Sequence, residues 1–298
     1  MALIRHLKAW SRRPSELPAV PPLKGVLLAD PAAFQVVECI NPHMTSEDGS
    51  LNRIDAAEAR KQWQALKDAY CRIGLEVAVL PPVPGLQDLC FSANPSMVLP
   101  LPDGAKEVWL GRMAHASRAA EVEHHRRFFA SRKYAVREMP ESVARFEGCG
   151  DGLLHPGRFL LHAGVGFRSD PGAWQIIADA HPELDVLLYE LQDPRFYHLD
   201  TALAPLHETS ALWVEEAFSP EGKALLQAAF PTLIPIPLEE AMNFAGNAHC
   251  PDGKHVLLQA GSPIIERKLQ EAGFATIALE TGEFIKSGGS VFCLKQSF

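Results

Sequence analysis

The sequence predicts an α/β or α+β protein folded as one domain. Three observations point there. Short apolar runs of strand length alternate with segments whose apolar residues step by three and four. Three of the helix-like segments open on the same pair, an N-cap oxygen followed by proline. No Ser-, Gly- or Pro-rich linker and no block of like charge divides the 298 residues, which favours one sizeable core.

In chain order, the first element is a basic stretch with no acid before Glu16, placing Leu3, Leu7 and Trp10 near one helical face. It reads as a short amphipathic arm packed on its own domain, with a transit peptide as the alternative; a secretory signal would need a longer apolar centre. A helix is expected from about Asp55 to Ile73, where Ala56, Ala59, Trp63, Leu66, Tyr70 and Ile73 form an apolar stripe and Gly74 stops it. His124 and His125 fall on a charged helix face and are expected to be solvated. Strands, mostly buried, are expected at Leu75–Leu80, Arg158–His162, Asp185–Leu191, His255–Gln259 and Ser290–Leu294. Asp170-Pro171, Ser219-Pro220 and Ser262-Pro263 open three later helices. Recurrence of a strand–helix–strand unit suggests similar modules whose sequences have diverged too far to register as repeats.

Composition narrows the function. A net charge of −8 argues against a nucleic-acid surface and suits the approach of a cation. Apolar runs such as Val256-Leu257-Leu258 are far too short to span a bilayer. Cysteines stand at 39, 71, 90, 149, 250 and 293 with no Cys-x-x-Cys pair, and a chain this long does not need disulfides to hold its core. Reduced thiols in the cytoplasm are expected, most of them packing as small hydrophobes and any one of them open to chemistry.

Four segments carry groups able to do chemistry. In Phe146-Glu147-Gly148-Cys149-Gly150-Asp151, two glycines allow a tight backbone on which Glu147 and Asp151 could converge on one cation, or the segment is a common glycine-acid turn. In Tyr197-His198-Leu199-Asp200-Thr201, a strand would put His198 and Asp200 on one face, where a carboxylate orients an imidazole; a polar surface pair is the plainer reading. No third His or Cys stands at zinc-ligand spacing, so no metal is expected. Near the C-terminus, Ser287-Gly288-Gly289-Ser290 leads to Cys293 on the expected last strand. Free backbone N–H groups there could lower the thiol pKa, unless Cys293 is only a small buried residue. Upstream, Asp88 and Asn94 bracket an apolar run ending at Pro95, as turn formers or as groups facing a ligand.

Taken in this order, these segments resemble the guanidino-group-modifying superfamily, also called the pentein fold. Its members include arginine deiminases, dimethylarginine dimethylaminohydrolases, arginine dihydrolases and amidinotransferases. The similarity runs from Phe34 to Cys293. Phe34-Gln35-Val36-Val37-Glu38-Cys39-Ile40-Asn41-Pro42-His43-Met44, followed by Gln62-Trp63-Gln64-Ala65-Leu66, looks most like the dimethylarginine hydrolase and dihydrolase branch. The resemblance implies a five-bladed α/β propeller of ββαβ units, preceded by an arm at 1–22 and filling 23–298 as a single catalytic domain. It implies Cys293 as nucleophile, His198 as acid and base, and Glu147 as the carboxylate facing the guanidinium. It also implies Asp200, Asp88 and Asn94 as substrate-binding residues, and Arg168, with Arg112 as second candidate, for the substrate carboxylate. Asn94 stands where many members carry aspartate, which is similar to the dihydrolase branch and puts simple deimination in doubt. Cys149 takes a slot usually held by glycine or alanine and reads as packing.

The implied activity is hydrolysis at the guanidinium carbon of arginine or a derivative, through a covalent thiouronium and without a cofactor. The implied partner is a small guanidino substrate, with a homodimer expected from the resemblance alone. An amidinotransferase would use the same residues with an amine in place of water. A non-catalytic binding protein of the same fold and a cysteine peptidase are rivals; the second lacks any local peptidase signature at Cys293.

Overall fold

The computed structural model describes residues 3–298. Its elements are β1 (Gly25–Ala29), α1 (Ala56–Arg72), β2 (Glu76–Leu80), β3 (Ser96–Pro100), β4 (Lys106–Leu110), α2 (Glu121–Ser131), β5 (Ala135–Arg137), α3 (Gly148–Asp151), β6 (Gly152–Leu154), β7 (Leu160–Val165), α4 (Pro171–Ala180) and β8 (Asp185–Glu190). There follow β9 (Leu203–His207), β10 (Ser210–Trp213), α5 (Pro220–Ala229), β11 (Thr232–Pro235), α6 (Leu238–Met242), β12 (His255–Gln259), α7 (Pro263–Glu271), β13 (Ala275–Leu279), α8 (Gly282–Ile285) and β14 (Gln296–Ser297).

The strands form five small sheets among the described residues, and one pattern runs through them. An antiparallel pair comes first, and a helix then carries the chain to a third strand lying parallel to the second. This holds for β3-β4-α2-β5, β6-β7-α4-β8 and β9-β10-α5-β11. The pair β12 and β13 has α7 between them and a single antiparallel bridge, His249 to Leu257, in place of a first strand. The remaining sheet takes its antiparallel strand from the far end of the chain: β14 pairs with β1, which runs parallel to β2 across α1. The modules inferred from alternation are therefore present as repeated units of one mixed α/β structure.

Local chemistry explains the helix starts. Asp55 caps α1 through the N–H groups of Ala57 and Glu58, and Gly74, at φ +88°, ends it. Ser219 caps α5 through Gly222. The other two proline-led helices are held differently. Asp170 turns its carboxylate to the backbone and guanidinium of Arg145, and the first turn of α7 is capped from a distance by Glu240, which accepts from Ile264 and Ile265.

Several expectations are corrected. Among its described residues the arm forms two short 3₁₀ turns, Leu7–Ala9 and Pro14–Glu16, and no amphipathic helix; Leu7 is 43% exposed, and Ile4, Trp10 and Leu17 are the residues that bury. Trp10 donates to Asp185, which also pairs with Arg12, so the arm lies against the start of β8. β2 is largely exposed or half-buried, because it is the edge strand of its sheet. Ser290–Leu294 is a hydrogen-bonded turn and not a strand, because its N–H groups find a side chain before they can find a ladder. His125 is buried against Ser96 Oγ at 2.8 Å, and burial pushes its pKa down to about 3.

Closure by β14 rests on Phe298. Its ring packs beside Phe128 and under the Arg132 guanidinium, and its backbone bonds both ways with Gly25. A methyl group on Gly25 would stand 2.4 Å from that ring, so glycine is required by close approach. Phe298→Ala is expected to cost about 3 to 5 kcal/mol of unfolding free energy, measured by chemical denaturation.

Candidate active site

Cys293 sits on the C-terminal turn, 2% exposed. Asn247, in the segment between α6 and β12, holds that turn. Its Oδ1 accepts from the N–H groups of Ser290, Phe292 and Cys293 at 3.0 to 3.2 Å, and its Nδ2 donates to the Asp200 carbonyl and to Cys293 Sγ. The backbone N–H groups expected to be free near the thiol are thus already in use. The thiol itself donates to Asp200 Oδ2 at 3.2 Å.

Electrostatics follow from this burial. Desolvation, and then the Asp200 carboxylate, push the Cys293 thiol well above its ordinary pKa, opposite to the lowering expected from a glycine-rich turn. Burial also raises Asp200, to about 7, against the opposing effect of its bond to Cys293. The pair therefore rests as a thiol donating to a carboxyl group whose titration burial has moved up to about 7.

His198 and Asp200 do not share a strand face. The segment is a 3₁₀ turn over Leu199–Thr201, which sends His198 to Glu147 and Asp200 to Cys293. His198 Nε2 lies 2.8 Å from Glu147 Oε2, while its Nδ1 has no hydrogen-bond partner among the described residues. Glu147 is fully buried and also accepts from the Ala114 N–H and from Arg168. Burial alone would raise its pKa, but the His198 bond and the Arg168 guanidinium hold it well below the usual carboxylate range. Asp151 does not converge on the same cation: its Oδ1 accepts from the Leu199 N–H, and burial raises its pKa to about 6.

The glycines of this segment have separate reasons. Gly148, at φ +46°, would place a Cβ 2.2 Å from the Ser96 carbonyl. Gly150 would place one 2.5 Å from Asn94 Nδ2 and 3.0 Å from His198 Cδ2, so its bare Cα is what lets those two side chains approach one another.

A small cavity of about 10 Å³ is lined by Cys293, Asp88, Asn94 and Arg168 among others, which brings four of the expected residues to one place. That volume holds about one water molecule, far less than an amino acid. Ile40, Asn41 and Met44 cover it, from the segment between β1 and α1. This cover is pinned by the Ile40 carbonyl on Arg168 at 2.7 Å and by Asn41 Nδ2 on the Ser287 carbonyl.

Arg112 is not among the lining residues; its backbone bridges Phe146. Arg118 lines the cavity instead, buried and forked onto Glu121, with Nη1 donating to Asn94 Oδ1 at 2.9 Å. That bond fixes the Asn94 amide and leaves its Nδ2 without a partner. Asn247, Arg118 and Tyr197, whose hydroxyl donates to the Gly288 carbonyl and whose ring lies under Arg168, were absent from the sequence-derived set. Only tertiary contacts reveal the first two, since neither stands in a motif.

No protein-family model matches the chain. Among curated proteins it is 34% identical over 287 residues to dimethylarginine dimethylaminohydrolase of Mycobacterium tuberculosis, covering 96% of this chain and 89% of that protein. It is 31% identical over 277 residues to the bifunctional arginine dihydrolase/ornithine cyclodeaminase ArgZ of a Synechocystis species, covering 90% of this chain but only 37% of ArgZ. Among solved structures it is similar to the N-terminal domain of an ArgZ variant covalently bound to a reaction intermediate. The TM-score there is 0.83 at 30% identity, with 91% of this chain and 96% of that one covered. The chain therefore belongs to the family of guanidino-modifying enzymes that holds the dimethylarginine dimethylaminohydrolases and the arginine dihydrolases.

Proposed function

We propose that this chain hydrolyses the guanidinium carbon of arginine or a methylated arginine through a covalent thiouronium on Cys293. The carrying observation is the Cys293–Asp200 contact beside a small cavity that also presents Asp88, Asn94, Arg118 and Arg168. Its class is that of its relatives, a hydrolase of guanidino C–N bonds.

A guanidinium cation placed against Asp200 supplies the positive charge that the resting pair lacks. It favours the ionised carboxylate and thiolate together, so the nucleophile is formed when substrate is bound. The thiol proton passes to His198. Cys293 Sγ then bonds to the guanidinium carbon, His198 returns the proton to the departing amine, and the C–N bond breaks to leave the thiouronium. In the second half, water gives a proton to His198 as its oxygen bonds to the same carbon, and the C–S bond breaks to release Cys293. Glu147, already saturated by His198, Ala114 and Arg168, orients the His198 ring. Arg168 and Arg118 supply the charge that a substrate carboxylate needs, Arg118 taking the duty expected of Arg112. The Ile40–Met44 cover must open to admit the substrate and close to exclude bulk water.

A specific observation favours two rounds of hydrolysis, from arginine through citrulline to ornithine. Arg118 fixes Asn94 with its Nδ2 unpartnered, a neutral donor suited to a ureido oxygen that a carboxylate would repel. Amidino transfer to an amine remains the runner-up, with the same first half. The five units, closed by β14 on β1, support a radial five-bladed arrangement in one catalytic domain over 23–298, with 1–22 as a packed arm.

The test is mass-spectrometric product analysis with arginine and with dimethylarginine. Wild type is expected to consume one of them, and Cys293→Ala to lose about 10⁴ or more in turnover; most activity retained in that variant would refute the mechanism. Ornithine as the end product supports two rounds, and Asn94→Asp is then expected to stop at citrulline. A separate check reads the thiol directly. The Asp200 carboxylate disfavours the thiolate, so removing its charge lowers the Cys293 pKa and raises the thiolate fraction at fixed pH. Iodoacetamide should therefore alkylate Cys293 in Asp200→Asn faster than in wild type at pH 8, although that variant turns over substrate poorly.

A further inference from the structure

A second cavity, of about 520 Å³, opens on the other side of the Cys293 turn and shares no lining residue with the first. Its volume is that of a small-molecule site. The walls are mainly apolar, with Val20, Leu23, Leu153, Leu154, Leu206 and Phe292 among them, drawn from the ends of several sheets.

One charged group faces this space from the protein interior. Lys295 is 2% exposed, and its Nζ lies 3.3 Å from the centre of the Phe292 ring. Among the described residues no carboxylate lies at ion-pair distance from it and no hydrogen-bond acceptor meets it; Asp200, Cys149 and Cys293 act on it only through space. A desolvated ammonium ordinarily has an anion or several acceptors, and a ring face replaces only part of what water gave. The acids on the cavity wall do not fill the gap. Glu208 is held by Arg158 at 2.8 Å and Asp252 by His255 at 2.7 Å. Burial brings the Lys295 pKa down to about 8, so the ammonium is retained at neutral pH. His249 lines the same wall, its ring held through Nδ1 by the Tyr70 hydroxyl at 2.9 Å.

We propose that this cavity binds a small organic monocarboxylate with a hydrocarbon body, its carboxylate held by Lys295 and its apolar part lying along the leucine and proline walls. The charge of Lys295 selects against cations, so the guanidino substrate is not the occupant. The apolar walls select against bare inorganic anions. Lys24, exposed at the rim, adds attraction for a negative headgroup. The inference does not depend on the reaction proposed at Cys293.

Isothermal titration calorimetry with octanoate tests it, with octanamide and inorganic phosphate as comparisons. Octanoate is expected to bind wild type at one site, and the neutral amide and phosphate about tenfold or more weaker. Lys295→Met, which keeps the length of the side chain, is expected to lose the preference for octanoate over octanamide. Leu154→Trp, at a half-buried wall position away from the ammonium, is expected to weaken both ligands by filling the space, and it decides the matter if Lys295→Met does not fold. Octanoate should bind equally well to Cys293→Ala saturated with arginine. The proposal is overturned if octanoate does not bind, if it binds no better than octanamide, if neither substitution weakens it, or if arginine displaces it.

Discussion

The candidate site depends on one side-chain amide. Asn247 gathers the N–H groups of Ser290, Phe292 and Cys293 onto its oxygen and spends its own N–H groups on the Asp200 carbonyl and the Cys293 sulfur. Three segments distant in sequence are thereby fixed to one another at hydrogen-bond range. Each buried N–H left without a partner costs about 1 to 3 kcal/mol, so a residue that satisfies several of them largely determines the conformation of the turn. The same interaction explains why the C-terminal apolar run is not a strand: its donors are taken by a side chain, and no sheet edge is offered to it.

With the turn fixed, the properties of the thiol follow from what surrounds it. Among the described residues no cationic side chain hydrogen-bonds Cys293 Sγ; its side-chain partners are an amide and a carboxyl group. Desolvation and the neighbouring acid both work against the thiolate. A nucleophile of this kind needs its charge balance supplied from outside. A bound guanidinium does so at the carbon to be attacked, which couples recognition to activation with no separate device. His198 is arranged on a different principle, with Glu147 and Arg168 forming a saturated buried chain behind it that does not wait for a ligand.

Much of this was legible in the sequence, and what was not has definite physical causes. The α1 stripe, its Gly74 stop and the proline-led helices are local signals, and they stand within a residue or two of where periodicity and capping put them. Cys293, Asp88, Asn94 and Arg168, which the resemblance named from separate segments, line one cavity. The conditional reading of Tyr197–Thr201 as a strand does not hold, because a two-residue period cannot be told from a single 3₁₀ turn over so short a run. His125 was misplaced because its charged helical neighbours mask a single inward position, occupied by a histidine satisfied by Ser96. Arg118 and Glu240 act across large sequence separations, on an amide and on another helix's first turn, and no local pattern records such partners.

The turn that carries Cys293 also carries Lys295, and the two side chains face different cavities. Placing a cation two residues from a thiol that needs one, yet leaving the two without a hydrogen bond, has an electrostatic consequence. Lys295 and Asp200 act on one another through a low-dielectric layer, where charge interactions are several-fold stronger than in water. Its positive charge therefore favours the ionised Asp200 without competing for the oxygen that Cys293 uses. A direct ion pair would have saturated that carboxylate, as Arg168 and His198 saturate Glu147, and would have removed it from the substrate's reach. Separation by one turn of backbone gives the field without the bond.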